Sequence, residues 1–147
     1  MLPPFSGRRR MSGNLTERSI ARVTEIYGRY AAGDREALYA ALTPETRWHS
    51  SGEGAVPWAG DYRGREGVED YFSRIEAEAK VLGYEVEQVI AQGEWVAVLA
   101  WATVRYEATG CTHRYAKADF VRLDGDRVVE FREFYDTSQT CRDRVPG

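Results

Sequence analysis

Two carboxylates and a lysine, spaced for the inward positions of two late strands, are the residues best placed to do chemistry. Over residues 127–136, strand alternation puts Val129, Phe131, Glu133 and Tyr135 on one face. A carboxylate among large apolar side chains is costly to bury unless it is paired or used. Glu133 is therefore the leading candidate for a general acid or base. Over residues 112–123, Tyr115, Lys117, Asp119, Val121 and Leu123 share a face. Asp119 sits between Ala118 and Phe120, where desolvation would raise its pKa and leave it able to hold a proton. The structural alternative is ion pairing: Glu133 with Arg105 or Lys117, and Asp119 with Lys117 or Arg132.

Other side chains are candidates for contact with a substrate. On a strand over residues 46–51, Trp48 and Ser50 alternate inward and His49 faces the other way. His49 nevertheless stands beside a Gly-rich loop and carries the group suited to proton transfer at neutral pH. That loop, residues 51–64, holds Trp58 and Tyr62, which could cover the mouth of a pocket. Tyr115 and Lys117 share the face of Asp119, and Trp101 lies on a long neighbouring strand.

The elements that must position these residues follow from periodicity and punctuation. Ile20, Val23, Ile26, Tyr27 and Tyr30 recur at helical spacing, predicting a helix over residues 16–32 that Gly33 ends. Asp34 caps a shorter helix through residue 42, which Pro44 stops. Val68, Tyr71, Phe72 and Ile75 mark a third helix over residues 65–79. Strands follow over residues 84–92, 95–108, 112–123 and 127–136, divided by Gly-containing turns. The layout is α+β in one domain, residues 14–147. Residues 1–13, with paired prolines and an arginine triplet, read as a disordered tail.

Composition narrows the function classes. The chain has 147 residues, is 43% hydrophobic and 12% aromatic, and carries a formal net charge of −3. Such a balance provides no basic field for nucleic acid. No stretch approaches the roughly 20 apolar residues of a membrane span. Cys111 and Cys141 are the only cysteines and His49 and His113 the only histidines. None of their spacings suits a metal, and the two thiols read as reduced in a cytoplasmic protein.

Three segments, IYGRYAAGDREALYAALTPETRWHSSG, VPWAGDYRGREGVEDYF and KADFVRLDGDRVVEFREFYD, together resemble the nuclear-transport-factor-2-like superfamily, in particular its SnoaL-like branch. The resemblance implies a cone-shaped, curved antiparallel sheet wrapped with three N-terminal helices around an apolar pocket. It implies a cofactor-free acid–base enzyme acting on a small, largely apolar metabolite by cyclisation, isomerisation or epoxide opening. The alternative is a non-catalytic module that binds a small ligand or dimerises.

Site residues follow from the same resemblance. Glu133 falls where SnoaL-like cyclases and limonene-epoxide-hydrolase-like enzymes keep a catalytic Asp. Asp119 resembles the pocket acid of ketosteroid isomerases. The shuttling Asp of those isomerases is replaced by Ser50, and their donor Tyr by Ile26, with Tyr27 one place along. Arg105 and Glu107 resemble the Arg-x-Asp element of the epoxide hydrolases and would complete a triad with Glu133. Asp136 is expected on the outer face of the sheet, which a second copy would cover in a homodimer. Val96, Val98 and Val104 oppose Leu99 and Trp101, so one long strand is apolar on both faces.

Overall fold

The computed structural model describes residues 9–147, with side chains from residue 14 onward. The elements run α1 (Arg9–Ala31), α2 (Arg35–Ala41), β1 (Leu42–Ser50), β2 (Gly60–Arg63), α3 (Gly64–Glu76), β3 (Ala79–Gln92), β4 (Trp95–Tyr106), β5 (Thr112–Asp124), β6 (Arg127–Tyr135) and α4 (Thr137–Arg144). The six strands form one unclosed sheet in the order β2-β1-β6-β5-β4-β3. This is the expected α+β architecture. Register shifts interrupt β3 twice and the β5–β6 pair once. Bulges of this kind bend a strand and increase its twist, which curves the sheet around its helices.

The helices cover the concave side by their apolar stripes. Val23 and Ile26 of α1 and Val68, Tyr71 and Phe72 of α3 are buried in the same core as Trp48, Val98, Val121 and Phe131 of the sheet. The entry of α3 is tight: Gly64 has φ +66°, and a Cβ there would stand 2.8 Å from the Pro44 carbonyl oxygen. Only glycine meets both demands without strain.

The structure revises several expectations. The sheet is not wholly antiparallel, because β1 pairs with β6 in parallel. A long crossover joins those two strands, so no tight hairpin forces them to run oppositely. The 51–64 loop contains the short strand β2, and β3 begins at Ala79, ahead of the glycine read as its boundary. The β5–β6 bulge turns Val128 into the core in place of Val129. Residues 9–13 fall within α1, and the expected tail over residues 1–8 lies outside the described residues.

A fourth helix, α4, was not anticipated. Asp136 accepts a hydrogen bond from the Gln139 amide at 2.9 Å, so it caps α4. The helix is held down by Asp143, which accepts from the Tyr115 hydroxyl and, at 2.8 Å, from Gln139 Nε2. His113 Nδ1 lies 3.4 Å from the same carboxylate. Among the described residues no helix is long and apolar enough to cross a membrane.

Candidate active site

Sheet register assembles the site. Asp119 on β5 stands directly opposite Glu133 on β6, and Glu133 in turn stands beside Ser50 on β1. Lys117 precedes Asp119 by two residues and shares its face, as strand alternation requires. Asp119 and Glu133 are each only 1% exposed. Lys117 Nζ lies 2.8 Å from Glu133 Oε2 and 3.6 Å from Asp119 Oδ1. One ammonium thus faces two buried carboxylates.

Hydroxyl donors distinguish the two acids. Glu133 Oε1 accepts from Ser50 Oγ at 2.5 Å and from the Tyr71 hydroxyl at 2.6 Å. With Lys117 on Oε2, both of its oxygens are engaged. Asp119 Oδ2 accepts from Tyr27 at 2.6 Å and Tyr84 at 2.9 Å. Asp119 Oδ1 is buried without any hydrogen-bond partner.

The electrostatics follow. Burial pushes the Asp119 carboxyl above the usual carboxylate range; Lys117 pulls it back, and the neighbouring Glu133 charge pushes it up again. Burial also pushes Glu133 up, but the Lys117 ammonium and the bonds from Lys117, Ser50 and Tyr71 outweigh it and hold Glu133 below the usual range. Burial works against the Lys117 charge, yet the two carboxylates raise its pKa well above normal, so it stays an ammonium. Tyr27, Tyr71 and Tyr84 are raised well above ordinary phenols, chiefly by burial, and remain proton donors. One cation faces two carboxylates in a dry site, and of the two Asp119 is the one whose pKa is pushed up and Glu133 the one held down.

Two small cavities meet at this cluster. The first, about 60 Å³, is lined by Asp119 and by apolar side chains including Val23, Ile26, Trp48, Val128 and Phe131. The second, about 70 Å³, is lined by Trp58, Ala102, Val104, Tyr106, Tyr115 and Tyr135 among others. Tyr30, Tyr71, Phe72, Tyr84, Lys117 and Glu133 border both.

The structure therefore brings Glu133, Asp119, Lys117, Ser50, Trp48, Tyr27, Trp58 and Tyr115 to the pocket or its first layer. Trp48 stacks on Phe131 with ring centroids 3.7 Å apart, and its buried indole N–H has no partner. Trp58 Nε1 donates to the Tyr135 hydroxyl at 2.7 Å, which fixes the wall of the second cavity.

Other candidates lie elsewhere. Arg105 and Glu107 are exposed, the first on the outward parity of β4 and the second past its end, so no triad with Glu133 forms. Trp101 has the same outward parity: its indole N–H donates to Glu87 at 2.9 Å, and the Arg114 guanidinium covers its ring at 4.1 Å. His49 turns outward too, with Nδ1 2.8 Å from Asp61 Oδ1, its cross-strand neighbour on β2. Tyr62 packs edge-on against Tyr71 at 5.5 Å and donates to the Trp58 carbonyl, bracing the loop outside the pocket.

Sequence reasoning missed Tyr71 and Tyr84 as site residues. Tyr71 was legible as an inward position of α3, but its apolar neighbours suggested packing alone. Among the described residues no three His, Cys, Asp or Glu side chains converge as metal ligands would.

Comparison with known proteins agrees with this architecture. An NTF2-like protein from Burkholderia xenovorans is 25% identical, with 88% of this chain and 98% of that one covered, and superposes with a TM-score of 0.74. An NTF2-like protein from Burkholderia pseudomallei is 22% identical over 88% and 98% of the two chains, with a TM-score of 0.80. TerC, crystallised with polyporic acid, is 17% identical over 85% and 96%, with a TM-score of 0.73. No curated protein matches the chain. The SnoaL-like domain profile matches residues 23–131, the span that carries α2, α3, strands β1 to β5, the first half of β6 and the Asp119–Lys117 pair; Glu133 lies just past its end. The chain belongs to the SnoaL-like domain family.

Proposed function

We propose that the chain is an enzyme that moves a proton at a carbon adjacent to a ketone carbonyl, chemistry shared by isomerases and aldol-type cyclases. The observation that carries this reading is the unpartnered Oδ1 of Asp119 beside the Lys117 ammonium. A carboxylate whose pKa is raised is a stronger base than an ordinary one, and such tuning suits general base catalysis. Asp119 Oδ1 takes the proton, the C–H electron pair becomes the enolate, and Lys117 donates a hydrogen bond to the developing oxygen charge. Returning the proton to another carbon isomerises the substrate; attack of the enolate on a second carbonyl closes a ring.

Glu133, the residue the sequence favours most, takes a different role here. Its oxygens are occupied by three donors and its pKa is lowered, so it is a poor base. It holds Lys117 charged and in place. Epoxide opening has no support in the geometry, since Arg105 and Glu107 stand outside the pocket.

Solvent deuterium exchange into pentan-3-one tests the reading. Wild-type protein should speed exchange at the α-carbon, and Asp119→Asn should lose about 100-fold or more of that rate. Equal rates for the two proteins would refute it. A second reading, a module that binds a small ketone without chemistry, is favoured by the fully satisfied Glu133; it predicts binding with no exchange.

A further inference from the structure

The charged cluster does not sit at the end of one pocket. It borders two cavities, and beyond it each is walled mainly by apolar and aromatic side chains. The first is lined on its apolar side by Val23, Ile26, Leu38, Val121, Val128 and Phe131, the second by Trp58, Ile75, Ala102, Val104 and Tyr106. Strand β5 runs along both, with Asp119 in the first, Tyr115 in the second and Lys117 lining each. At about 3.3 Å per residue, the step from Tyr115 to Asp119 spans about 13 Å, with Lys117 at its middle.

A ligand whose oxygen meets Lys117 must therefore send apolar substance both ways. We propose that the substrate is a two-armed ketone, its carbonyl near the centre of the molecule and a compact apolar arm of a few carbons in each cavity. This assignment rests on the role given above to Asp119 and Lys117. Cavities of about 60 and 70 Å³ decide the size. An engineered apolar cavity of about 150 Å³ accepts benzene, so each of these takes an arm smaller than a ring. One long chain cannot exploit both, because its carbonyl at Lys117 would leave one cavity unfilled.

The test compares two isomers of equal composition, heptan-4-one with a central carbonyl and heptan-2-one with a terminal one, by calorimetric or NMR titration. Heptan-4-one should bind about tenfold more tightly, roughly the cost of leaving two methylenes out of an apolar site. Ala102→Leu, which fills the second cavity, should abolish most of that preference while heptan-2-one still binds. Val104→Phe fills the same cavity and serves where Ala102→Leu fails to fold, judged by thermal melting. Equal or tighter binding of heptan-2-one, binding of neither ketone, or a preference that survives in the folded variant would overturn the proposal. Heptan-4-one that binds as expected but exchanges no deuterium would leave the two-armed site standing and remove the proton chemistry.

Discussion

Asp119 and Glu133 face each other across adjacent antiparallel strands, and the Lys117 ammonium lies 0.8 Å closer to Glu133, at 2.8 Å against 3.6 Å. That asymmetry divides their roles. The nearer carboxylate is held below the usual carboxylate range, and the farther one, which also accepts hydrogen bonds from the phenols Tyr27 and Tyr84, is pushed above it.

Replacing the anchor should cost stability first. Glu133→Gln leaves Lys117 facing an amide, and breaking a buried pair costs about 3–5 kcal/mol. The lower end is expected, because Asp119 can take over as the lysine's partner. The pH dependence has a definite sign. A carboxylate with a lowered folded pKa stabilises the protein above its unfolded pKa, and that contribution is lost as pH falls through the folded value. The gap between wild type and Glu133→Gln in urea denaturation should therefore be widest near neutrality and shrink in acid. A variant as stable as wild type at neutral pH would contradict the pairing.

Tyr27→Phe should move the pH–rate profile. The Tyr27 hydroxyl lowers the Asp119 pKa by hydrogen bonding to its charged form. Without it the pKa rises further, so the limb on which the base ionises shifts to higher pH while the maximal rate changes little. Deuterium exchange measured across pH would show it. An unmoved limb would remove Tyr27 from the site.

The outer face of the sheet should be covered by a second copy of the chain, as the sequence leads one to expect. Ile90, Trp95, Leu99, Phe120 and Phe134 are between 37% and 56% exposed there. Beside them Glu130 is buried under Arg47, Arg122 and Arg132, so an apolar patch is edged by mixed charge that a two-fold axis could match to itself. Light scattering at micromolar concentration should give twice the chain mass, and Phe120→Glu should restore the monomer. A monomeric wild-type protein would contradict the account.

Much of this was legible because β5 is regular. With no bulge between Tyr115 and Arg122, alternation places Tyr115, Lys117 and Asp119 correctly, and the same logic places Glu133. What was lost depended on partners distant in sequence. The parallel β1–β6 pairing that seats Ser50 on Glu133 leaves no local trace. Tyr84 went unnoticed because Gly83 reads as a break, whereas β3 runs through it. Arg105 and Trp101 were misjudged because β4 is apolar on both faces, so alternation alone does not say which face points inward; its register with β5 does. Helix α4 has no apolar stripe to announce it, although Asp136 with Gln139 three residues on is a recognisable start signal.

The central claim is that Asp119, and not Glu133, holds the exchangeable proton. Carbon-13 NMR of the side-chain carboxyls, assigned with Asp119→Asn and Glu133→Gln, measures this directly across pH. Asp119 should titrate above the usual aspartate range, and Glu133 should stay ionised to a pH below the usual glutamate range. The coupling has a further consequence: Glu133→Gln should bring the Asp119 titration down, because the charge that pushes it up is gone and Lys117 is free to pair with it. A Glu133 carboxyl that titrates above Asp119 would reverse the assignment and make Glu133 the acid–base group.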